Sequence, residues 1–152
     1  MIKEKSYKIL FLGRVFVGLV FAYSGFIKLM EPIENFRGAM AAYDVIPSAA
    51  IPLLAQVLPW MEFVFGVFLV IGYLPRLSAA AVAGLSWSFI TLILVTRIVT
   101  GSVPENCGCF GEGSLVHLKP LQVVFLDIFN TLVCVKLALT QDHPFSLEAV
   151  LK

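Results

Sequence analysis

Charge is what this sequence has least of. Asp, Glu, Lys and Arg make up 14% of its 152 residues, against roughly 25% in an ordinary soluble chain. With 59% hydrophobic residues and a mean hydropathy of +0.93, a water-soluble globular domain is excluded. The net charge of +1 comes with no clustered basic face, so nucleic acid is excluded as a partner. Repeats and low-complexity runs are also missing. Cysteine is scarce, with three in all, but two of the three stand one residue apart.

What is present is apolar length. A membrane span takes about 20 predominantly apolar residues, and the chain has room for four with short connectors. The expected fold is all-α: an integral membrane four-helix bundle with a short interfacial helix after the first span. One membrane domain is expected over 1–152, with spans near 7–30, 51–73, 77–99 and 121–139. A Cys-x-Cys loop fills 100–119. The N-terminal apolar run reaches Ile27, beyond the 7–15 residues of a signal core, and is read as an uncleaved first helix. In it, Gly18, Ala22 and Gly25 form a small-residue ridge for close helix packing. After Pro32, the residues Ile33, Phe36, Met40 and Tyr43 recur at helical steps, with Pro47 as the stop. That pattern suits a helix lying in the interface.

Lysine and arginine counts orient the chain. With the N-terminus inside, Lys3, Lys5, Lys8, Arg14, Arg76, Lys136 and Lys152 lie on the cytoplasmic side, against Lys28, Arg37, Arg97 and Lys119 outside. Seven against four favours cytoplasmic termini in a cell (inner) membrane. Four spans then put the 100–119 loop outside the cytoplasm, where disulfides form and persist.

That loop, Pro104-Glu105-Asn106-Cys107-Gly108-Cys109-Phe110-Gly111-Glu112-Gly113, is the strongest chemical signal. Two thiols separated by one glycine can close a small, strained ring, and strained, exposed disulfides tend to be exchange-active. Cys107 and Cys109 are therefore candidate catalytic residues, one attacking and the other resolving. The plain alternatives are two free thiols or a structural link. His117 with the pair makes a soft ligand set for Cu(I) or zinc, but the two-pair spacing of a structural zinc site is absent, so no metal is assigned. Cys134, roughly 20 Å down the last span, reads as a small core residue.

Charges inside hydrocarbon face the bundle and pair, or they carry function. Arg14, Glu62 and Asp127 are such charges. An Arg14–Glu62 pair is the structural expectation. The functional one makes Glu62 and Asp127 catalytic carboxylates that handle protons during thiol and quinone redox exchange. Lys28 and Arg97 read as headgroup anchors. No quinone- or flavin-binding motif is recognisable, so no cofactor is evident and a quinone has no motif behind it.

The chain resembles the DoxX-like membrane proteins, specifically the MauE branch of methylamine utilisation. The matching residues are Arg14-x-x-x-Gly18, Ser24-Gly25-x-x-Lys28, Pro59-x-x-Glu62-x-x-x-Gly66 with Gly72, and Cys107-Gly108-Cys109-Phe110-Gly111. The resemblance implies a four-helix membrane bundle in extracytoplasmic redox chemistry, beside a thioredoxin-like partner, in maturing a disulfide-rich enzyme subunit. The expected function is a membrane component of a thiol–disulfide relay, either catalytic or docking. The expected partners are the lipid bilayer and a thioredoxin-like or cysteine-rich extracytoplasmic protein. Two other classes compete: a non-catalytic subunit anchoring a respiratory or redox complex, and a small-solute transporter with Glu62 and Asp127 on its path.

Overall fold

In hydrocarbon a backbone amide has no water to bond, so an apolar run satisfies its polar groups within itself as a helix. The computed structural model describes residues 2–104 and 119–140, with side chains from residue 7 onward. Its helices are α1 (Ile2–Met30), α2 (Ile33–Ala41), α3 (Ile51–Ile71), α4 (Pro75–Thr100) and α5 (Pro120–Leu139). Four of them are long and apolar enough to cross a membrane: Tyr7–Met30 within α1, and the whole of α3, α4 and α5. No strand occurs among the described residues. The short α2 follows the first span, with Phe36 and Met40 buried.

The surface is greasy, and the apolar core encloses a set of charged and polar side chains. Ile98, Leu139 and Met30 are 81%, 77% and 71% exposed, while Arg14, Lys28, Glu62, Asp127 and Asn130 are buried. This inversion of the soluble pattern is what a lipid solvent demands.

The bundle is two tight helix pairs. In the first, the α1 ridge meets α3 backbone to backbone. A Cβ on Gly25 would lie 2.5 Å from the Phe63 amide nitrogen and 2.7 Å from the Pro59 carbonyl, and one on Gly66 would run into the Ala22 backbone. In the second pair α4 runs against α5, and Arg76 Nε donates to the Thr140 carbonyl at 3.2 Å. The pairs are joined by a tight connector. Gly72 at φ 73° and Leu74 at φ 42° turn the chain between α3 and α4, and Pro75 occupies the first turn of α4.

One core cluster bridges the pairs with Val17, Phe21, Leu69, Ala79, Val82, Leu85, Cys134 and Leu137. Cys134 is a free, fully buried thiol there. At the end where α1 stops and α5 starts, Tyr43, Ile93 and Val123 form another cluster, with Val45, Ile46 and Val103 against it. The stretch after α2 is thereby fastened over the two ends of the α4–α5 connector. Lys119 N donates to Gln122 Oε1 at 3.0 Å and caps α5.

Candidate functional site in the bundle core

Ser24 and Lys28 are four residues apart on α1 and so share one helix face. That face looks at Glu62 of α3. Lys28 Nζ donates to both Glu62 oxygens at 2.8 Å, and Ser24 Oγ donates to Oε2 at 3.0 Å. Both charged side chains are almost completely buried. The ammonium also sits 4.9 Å from the Phe36 ring centroid and 5.3 Å from that of Phe89, distances at which aromatic faces attract a cation. Thus α1 supplies the cation, α3 the anion, and α2 and α4 each one wall.

This corrects two expectations. Glu62 pairs with Lys28, not with Arg14, because helix heights decide it. Gly66 abuts Gly18 and Ala22 while Gly25 abuts Pro59 and Phe63, so Glu62 stands level with Ser24 and Gly25. Arg14 is ten residues back along α1, about 15 Å away at 1.5 Å per residue. It is buried, with its guanidinium 5.2 Å from the Phe11 ring centroid. Nor is Lys28 a headgroup anchor: it points into the bundle, 4% exposed.

Across from the ion pair, at the seam between the helix pairs, is a small cavity of about 20 Å³. Its lining includes Ser24, Glu62, Phe89, Asp127 and Asn130. The two carboxylates singled out in the sequence, Glu62 and Asp127, therefore share one chamber although they lie on different helix pairs. Asn130, one turn beyond Asp127, is 1% exposed, and neither Nδ2 nor Oδ1 has a hydrogen-bond partner. Val123 lines the chamber and also belongs to the cluster that touches Val103. One residue thus connects the chamber to the base of the loop. Cys107, Cys109 and His117 lie outside the described residues.

Lys28, Ser24, Phe89 and Asn130 are the site residues that charge and motif reading passed over or undervalued. The i, i+4 spacing of Ser24 and Lys28 and the i, i+3 spacing of Asp127 and Asn130 were the available signals. Phe89 carried none, since an aromatic in a span is ordinary. Chemically, the arrangement holds one charge pair in a buried, aromatic-walled setting beside a second carboxyl group and a carboxamide. Such a chamber can take up, store or pass a proton.

Comparison with known proteins agrees with the architecture. The family described as methylamine utilisation protein MauE matches residues 6–140. Methylamine utilization protein MauE of Paracoccus denitrificans is 32% identical over 126 residues, covering 83% of this chain and 64% of that protein. The Methylophilus methylotrophus protein of the same name is 30% identical over 95 residues, 62% of this chain and 49% of that protein. The chain thus spans less than two thirds of the length of these relatives. No solved structure matches it. With its four apolar helices and a family match running from α1 to the end of α5, this chain belongs to the MauE family of membrane proteins.

Proposed function

We propose that this protein is the membrane component of an extracytoplasmic thiol–disulfide relay in methylamine utilisation, working on a thioredoxin-like or cysteine-rich partner. The observation that carries the reading is the Cys107-Gly108-Cys109 pair in the connector between α4 and α5 of a MauE-family chain. A partner thiolate attacks the Cys107–Cys109 disulfide and forms a mixed disulfide, which the partner's second thiolate resolves. The partner leaves as a disulfide and the loop pair as two thiols, with two electrons and two protons transferred. Reoxidation of the loop pair passes two electrons to a membrane oxidant, a role that a quinone fits chemically, and releases two protons. Asp127 lies seven residues into α5, about 10 Å below the loop, and with Glu62 is the proposed acceptor for those protons.

The test is trapping. The exchange is reversible, so the loop cysteine that bonds to the partner also attacks the partner's disulfide, and without its loop neighbour to resolve it that mixed disulfide persists. Of Cys107→Ser and Cys109→Ser, one variant should accumulate a partner adduct on non-reducing gels of alkylated membranes. Cys134→Ser should leave the adduct pattern unchanged, because Cys134 is sealed in the core. If neither loop variant forms an adduct and the wild-type pair stays reduced under oxidising conditions, the chain is an anchoring subunit instead.

The orientation has its own test. In a chain with its native cysteines replaced by serine, Ser102→Cys should react with an impermeant maleimide in intact cells and Arg76→Cys should not. The lysine and arginine excess favours residue 76 inside. The reverse labelling overturns the orientation and removes the oxidising compartment from the argument.

A further inference from the structure

Asn130 poses a problem that the relay does not solve. Its carboxamide is buried, and both polar atoms lack a hydrogen-bond partner. Buried amides in native proteins are nearly always satisfied, by protein or by water. Asn130 lines a cavity of about 20 Å³, and one water centre needs roughly 10–15 Å³. The same cavity presents Ser24, Glu62 and Asp127, which supply the two to four polar partners that an internal water requires. Among the described residues, the ionisable groups at or beside this chamber are Lys28 on α1, Glu62 on α3 and Asp127 on α5, while α4 lines it with Phe89 alone.

We propose that the Asn130 chamber is a water-binding site that exchanges a proton between Asp127 and Glu62. The carboxamide can donate through Nδ2 and accept through Oδ1, so it can hold the water against both carboxyl groups while its protons move. The step is a plain proton transfer. The Asp127 carboxyl gives a proton to the water, and the water gives one of its own to the Glu62 carboxylate. The return runs the same way backwards. The faces of Phe36 and Phe89 attract the Lys28 ammonium and offset part of the cost of a neutral Glu62. Asn130 and Ser24 are positioning residues in this scheme. The inference deepens the proton role given above to the two carboxylates, and its readout needs neither cysteine, so its failure and that of the relay are separable.

The experiment uses the full chain in lipid nanodiscs, with and without Cys107→Ser/Cys109→Ser. Infrared difference spectroscopy after a pH or D2O jump follows the two carboxyl bands, assigned by their loss in Asp127→Asn and Glu62→Gln. The expected result is that the Asp127 and Glu62 bands respond with one shared rate. Asn130→Leu, of the same branched shape and without polar atoms, should separate the two responses and slow exchange at Asp127 at least tenfold. Ser24→Ala removes one oxygen only, serves if the leucine variant does not fold, and should slow exchange about threefold. Wild-type rates in whichever variant folds would overturn the proposal. So would a clear rise in melting temperature for Asn130→Leu, since that marks a dry chamber whose carboxamide was truly orphaned.

Discussion

Lys28→Met and Glu62→Gln should each cost about 3–5 kcal/mol of unfolding free energy in detergent, because each strands one buried charge beside its former partner. The double variant should lose much less than the sum, with a coupling of about 1–3 kcal/mol. The reason is geometric. Lys28 Nζ reaches both Glu62 oxygens at 2.8 Å in a setting with almost no exposure, so neither charge has bulk water to fall back on. Denaturant or thermal unfolding of the four proteins, followed by circular dichroism, closes the cycle. The control pairs Arg14→Met with Glu62→Gln, which should be additive, since the two sites are separated by about 15 Å along α1. Additive losses for Lys28 and Glu62 would show that the two side chains do not meet in the folded protein.

Gly66→Val should be at least as damaging. A Cβ at residue 66 runs into the Ala22 backbone and comes within 2.9 Å of the Gly18 carbonyl. Backbone cannot step aside as a flexible side chain can, so α1 and α3 must separate. Overpacking ordinarily costs about 1–3 kcal/mol and occasionally more. Here a loss beyond that range is expected, because parting the helices also pulls Lys28 from Glu62. Gly84→Ala is the contrast. A Cβ at Gly84 meets nothing within 4 Å, so the gain in helix propensity of about 1 kcal/mol should leave that variant equal to wild type or more stable. Folded yield and melting temperature in detergent read both. A Gly66→Val protein with wild-type stability would mean that the α1–α3 approach is looser than the structure has it.

These two glycines also mark the limit of reading the chain alone. Gly66 and Gly84 both stand in apolar spans, and the motif that includes Gly66 does not say what either glycine packs against. Only the facing helix does. The same holds for the charges. That Glu62 and Asp127 would be inside followed from the cost of a carboxylate in hydrocarbon, but the choice between Arg14 and Lys28 as partner depended on the relative heights of α1 and α3. Those heights come from where Gly18, Ala22 and Gly25 interlock with Pro59, Phe63 and Gly66.

The residues by themselves determined the four spanning helices, the short helix carrying Phe36 and Met40, and the small-residue ridge of α1. Each of these answers to one solvent condition, that lipid offers no hydrogen bonds and accepts only apolar side chains. Composition along the chain reports that condition directly. The tertiary structure decided what meets what: the Lys28–Glu62 pair under Phe36 and Phe89, the chamber that Asp127 shares with Glu62, and the solitary carboxamide of Asn130 inside it. Those meetings depend on helix rotation and axial offset. A hydropathy pattern with the period of a helix carries the first only coarsely and the second not at all.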